Sequence, residues 1–117
     1  MKYLLTIYGD ESGWNDVTPE QAQDIMAAYG AFGEAAEKAG VLLGGEGLQP
    51  TSTATTVSVR NDETITTDGP FAETREVIVG FDLLECADLD EAIAVARAHP
   101  MARGGRLEIR PLADSDQ

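Results

Sequence analysis

His99 is the single histidine of this 117-residue chain, so it is the one side chain whose ordinary pKa suits proton transfer near neutrality. It follows a helical pattern that Pro100 stops, and a helix C-terminus favours the imidazolium. His99 is therefore either a proton carrier or a helix-ending residue helped by that dipole. Asp68 precedes Gly69-Pro70, where an Asx-turn is the routine use of an acid. The same rigid loop, with Phe71 anchoring it in the core, could aim Asp68 into a pocket as a general base or as an orienter of His99. Tyr29 falls on an apolar helical face, and a buried phenol needs a polar partner such as His99. Arg103, followed by Gly104-Gly105, is the best cation for an anionic substrate. Together His99, Asp68 and Tyr29 point to cofactor-free acid–base chemistry, with Arg103 and Phe71 on the binding side.

Other chemistries find less support. Cys86 stands alone, so no intrachain disulfide forms, and a small buried thiol is the expected role. One histidine and no cysteine pair leave only carboxylates for a metal, so no metal is expected. The run Gly44-Gly45-Glu46-Gly47 lacks a following Lys-Ser/Thr and is no phosphate loop.

The elements that must position these residues are legible in the periodicity. Lys2–Tyr8 reads as a buried strand. Thr18-Pro19-Glu20-Gln21 predicts a capped helix start. Ala22, Ile25, Met26, Tyr29, Phe32, Gly33 and Ala36 then form its inner face, and Gly40 its left-handed end. Val41–Leu43 restarts a strand expected to break up in the glycine run. Thr55–Arg60 and Thr64–Thr67 flank Asn61-Asp62-Glu63 as a hairpin. Glu73, Arg75 and Glu76 read as a solvated, mutually paired cluster. Val77–Leu84 is a nearly continuous apolar strand. A second helix starts at Asp88, with Glu91 as its capping-box partner and Leu89, Ala92, Ile93 and Ala96 inside. Leu107–Pro111 is a last strand, and Ala113–Gln117 a polar tail. Two βαβ halves around a hairpin describe one α+β domain over residues 1–117, a ferredoxin-like sandwich with an inserted β-hairpin.

A formal net charge of −13 sets the partners. Phosphate backbones repel such a chain, so direct nucleic-acid binding is not expected, and an anionic membrane surface is disfavoured too. Arg97, Arg103, Arg106 and Arg110 gather half of the basic residues in one stretch, for an anionic ligand or for neighbouring carboxylates. Met1–Tyr8 has one lysine and too short an apolar stretch for a signal peptide. A cytoplasmic protein is expected.

Asp68-Gly69-Pro70-Phe71-Ala72-Glu73-Thr74-Arg75-Glu76 resembles the signature of the DGPF branch of the YCII-related family. Met1–Leu5 with Tyr8–Glu11, Gly44–Leu48, and Ala102–Gly105 with Glu108–Pro111 extend the likeness over almost the whole chain. The resemblance implies a homodimer of the dimeric α/β-barrel type with a cleft beside the signature loop. It also implies that a regulatory partner, an extracytoplasmic-type sigma factor, is open as an alternative to a small-molecule ligand. In the wider family a His–Asp pair is thought to work in the cleft; by position the pair here becomes Tyr29 and His99.

Overall fold

The computed structural model describes residues 1–114, the side chains of Trp14 and Asn15 excepted; the end of the polar tail lies outside the described residues. In chain order the elements are β1 (Lys2–Gly9), α1 (Pro19–Lys38), β2 (Leu42–Gly47), β3 (Thr55–Arg60), β4 (Glu63–Asp68), β5 (Val77–Glu85), α2 (Leu89–Arg97), α3 (Met101–Gly104) and β6 (Arg106–Pro111). Four strands make one sheet in the order β2-β5-β1-β6, every neighbouring pair antiparallel. Among the described residues β3 and β4 pair only with each other. This is a mixed α+β architecture compatible with the ferredoxin-like reading.

Helix α1 is specified at both ends. The Thr18 hydroxyl accepts the Gln21 amide while the Gln21 side chain accepts the Thr18 amide, a reciprocal capping box. At the far end Gly40 adopts φ +75°, and its amide and that of Val41 reach back to the carbonyls of Glu37 and Ala36. That double closure satisfies carbonyls that would otherwise be left bare.

The core lies between the sheet and the helices. Tyr3, Leu5 and Leu84 are fully buried, against Ala36 of α1 and Ala92 and Ala96 of α2. Alanines on the helices let backbone approach the sheet closely, while Leu5 and Leu84 each contribute about 1.5–3 kcal/mol by leaving water. The expected inner face of α2 is corrected on this point. Leu89 and Ile93 are half exposed, and the buried stripe is Ala92, Val95 and Ala96.

Several local expectations also change. The Asp88 carboxylate accepts the Glu91 amide as foreseen, but the Glu91 carboxylate accepts the Ala87 amide, one residue before the cap. The hairpin turn is the two residues Asn61-Asp62, both at positive φ, as a tight hairpin twisting with its strands requires. Arg75 and Glu76 do not pair with each other: Arg75 meets Asp10 at 3.3 Å and Glu76 meets Arg106 at 3.6 Å. The glycine run does not end β2, which continues through Gly44–Gly47 along β5. Gly45 must be bare there. A Cβ would run into the Asp82 carboxylate and come within 2.6 Å of the Phe81 carbonyl oxygen.

Candidate functional site

His99 is nearly fully buried where α2 gives way to α3. The turn at Pro100 brings the Met101 amide onto His99 Nδ1 at 3.0 Å. A backbone N–H can only donate, so Nδ1 keeps its lone pair and the ring proton resides on Nε2. Burial pushes the imidazole pKa below its usual value, which favours the neutral ring. This reverses the expectation drawn from the helix dipole: the cost of desolvating a charged ring outweighs the favourable helix end.

Nε2 faces Asp82, whose Oδ2 lies 3.9 Å away. That is near enough for electrostatic coupling but too long for a hydrogen bond. Asp82 sits in β5 opposite Leu5 of β1 and Gly45 of β2. Its register puts it on the helix-facing side, and Gly45 leaves room for its carboxylate. Burial raises the Asp82 pKa. Among the described residues its carboxylate accepts no hydrogen bond. Two aromatic rings of α1 hold the imidazole edge-on: Tyr29 at 5.2 Å and 87°, Phe32 at 4.6 Å and 65°. The expected Tyr29–His99 contact is thus ring against ring, and among the described residues the hydroxyl gives the imidazole no hydrogen bond.

The pair opens on a cavity of about 940 Å³ between α1, β2 and β5, ample for a metabolite. Ile7, Met26, Leu42, Leu48 and Pro50 supply apolar wall; Glu11, Glu46 and Asp82 are its acids, and no Lys or Arg is among its described lining residues. Glu11 also accepts the Thr51 amide and hydroxyl, which ties the β1–α1 loop to the segment after β2. A second hollow lies on the other side of His99, sharing Tyr29, Phe32 and Met101 with the first. Arg97 and Arg103 line that one, together with Asp10 and Asp24.

The sequence-derived candidates therefore separate. His99 and Tyr29 are together. Arg103 is exposed on α3 and borders only the second hollow, away from Asp82. Asp68 ends β4 opposite Thr55, exposed, and lines neither cavity. Phe71 is 92% exposed, so it does not anchor the loop in the core of its own chain. The carboxylate beside His99 is Asp82, which sequence reasoning passed over. Its signal was present: one acid inside the apolar run Val77–Leu84 is a buried charge that needs a reason.

Away from the cavity, Cys86 is a buried free thiol whose pKa burial raises. Among the described residues no helix is long and apolar enough to cross a membrane.

The family model of the YCII-related domain matches residues 1–115. An uncharacterized protein of Rhizobium meliloti (strain 1021) is 40% identical over 117 residues, covering 97% of this chain and 93% of that protein. With a family model matched over nearly its whole length and a relative this similar end to end, the chain belongs to the YCII-related family.

Proposed function

We propose that the chain binds a small metabolite in the His99–Asp82 cavity and moves a proton there without a cofactor. The observation that carries this reading is the pairing of a neutral imidazole with a desolvated carboxylate, 3.9 Å apart, at an apolar cavity. Asp82 is the proton acceptor, because a raised carboxyl pKa makes it a stronger base. His99 cannot take a proton on Nδ1 without losing the Met101 amide. Its Nε2–H instead orients the bound molecule or Asp82. The bond from hydrogen to the bound molecule breaks, the proton goes to Asp82, and the same carboxylic acid can return it.

The test is an NMR titration of the His99 imidazole in wild type, Asp82→Asn and Asp68→Ala. The His99 pKa should lie below about 6.5 in wild type. It should fall further in Asp82→Asn, since a nearby carboxylate favours the charged ring, and stay put in Asp68→Ala. A wild-type pKa at the reference value, indifferent to Asp82, overturns the reading.

The same proposal includes a homodimer of the dimeric α/β-barrel type. Leu4, Tyr8 and Leu83 lie by register on the sheet face turned away from the helices, only half covered, and two such faces packed together would close the barrel. Light scattering on the purified chain should give twice the monomer mass; a monomer at all concentrations removes this part.

A further inference from the structure

We propose that the molecule bound in the His99–Asp82 cavity is a cation: a protonated amine on an apolar, aromatic-sized body. The inference rests on that cavity being the binding site and deepens it by naming the ligand class.

Three observations carry it. The first is charge. The described lining includes Asp82, Glu11 and Glu46 and no Lys or Arg, while Arg97 and Arg103 border the hollow behind His99. The histidine adds no positive charge, because its Nδ1 is occupied by the Met101 amide. An anion entering here meets like charge in a poorly screened space, and the −13 net charge of the chain extends the same bias outward.

The second observation is the state of Asp82. Its side chain is 17% exposed, and none of the described residues gives its carboxylate a hydrogen bond. Among the described residues no buried side-chain oxygen lacks a partner, so the partly desolvated carboxylate is still open to a donor arriving from the cavity. An ammonium group has three donors and a full charge, and it restores what the fold withholds. The third is the wall. The Tyr29 and Phe32 rings stand beside the imidazole, with Met26, Leu42 and Leu48 around them. Aromatic faces attract cations as well as apolar surface, so one ligand can satisfy both ends of the cavity.

The ligand class also fits the proton step. Transfer from a bound ammonium to Asp82 breaks an N–H bond, forms an O–H bond and leaves a neutral amine beside a neutral acid. Two opposite charges disappear together, which a desolvated site favours.

Three probes of similar shape decide the matter: phenethylamine, phenethyl alcohol and phenylacetate, titrated at pH 7 by calorimetry and by chemical-shift changes of His99. An alkyl amine is protonated at that pH. Phenethylamine should bind about tenfold or more tightly than the alcohol, and phenylacetate should be weakest. Asp82→Asn should bring amine and alcohol to the same affinity. Added salt should weaken the amine in wild type and leave the alcohol unchanged, a check that needs no variant. Equal or tighter binding of the alcohol or of phenylacetate overturns the proposal, as does failure of all three to bind. If the alcohol binds and shifts His99 as well as the amine does, the charge inference falls while the cavity stands. A His99 resonance indifferent to every probe and to Asp82→Asn removes the cavity reading itself.

Discussion

The four-stranded sheet and the β3–β4 hairpin are both antiparallel and behave as opposites. In the sheet, β1 and β5 each pair on both sides, and Leu5 and Leu84 are wholly out of water. In the hairpin each strand has one partner, every residue of β4 is exposed, and Val57 and Val59 are 60% and 56% exposed. A lone two-stranded ribbon has little stability of its own. The residues most conspicuous in sequence, Asp68 to Phe71, begin at the last residue of that ribbon; the buried pair, His99 and Asp82, belongs to the sheet side. A loop rich in turn-formers catches the eye because its backbone is unusual. Shifted proton affinities need desolvation, which the packed side supplies.

Energetics should separate the two regions most sharply. Leu84→Ala should cost about 2–5 kcal/mol of stability, and Val57→Ala no more than about 0.5 kcal/mol, both read from urea unfolding. Similar losses at the two sites would abolish the distinction.

Gly45→Ala probes the junction where the sheet makes room for Asp82. The added methyl meets the Asp82 carboxylate and the Phe81 carbonyl, so a loss of about 1–3 kcal/mol is expected. The His99 titration should also lose its response to Asp82→Asn. Full stability together with an unchanged titration would show that β2 and β5 are not packed this closely.

Acid should weaken the sheet side through His99. Its folded pKa is depressed, so the unfolded chain takes up this proton first. The stability it contributes is complete above about 6.5, the unfolded value, and is lost as pH falls through the folded pKa. Asp82 has the opposite sign: its folded pKa is raised, so stability is gained as pH falls through that value. Unfolding midpoints of wild type should therefore drop more steeply below about pH 6.5 than those of His99→Gln. Parallel curves would mean that His99 is not desolvated.

The smallest effect belongs to the hairpin. Phe71→Ala should change the stability of an isolated chain by about 0.5 kcal/mol at most, since the ring is in water. A larger loss that grows with protein concentration would place Phe71 against a second copy.

Much of the fold was legible because the signals are local. Thr18, Pro19 and Gln21 cap α1 within one turn, and Gly40 closes it within another. The alternation of Thr55–Arg60 reads as a strand whatever it pairs with. Local reasoning failed where a neighbour distant in sequence decides. Gly44–Gly47 looked like a broken strand because nothing nearby says that Asp82 and Phe81 lie against Gly45. Leu89 and Ile93 looked inward-facing because helical periodicity defines a stripe but not how far the sheet extends beneath it.

For the site, sequence alone determined that His99 is the single histidine, that Tyr29 shares the inner face of α1, and that the net charge is −13. Tertiary structure decided the rest. Strand order put β5 between β1 and β2, and this register set Asp82 beneath His99. The turn at Pro100 placed an amide on Nδ1 and so chose the tautomer. Burial then lowered the proton affinity of His99 and raised that of Asp82. Proton affinity depends on the dielectric and the donors around a group, and these come from residues that meet only when the chain has folded.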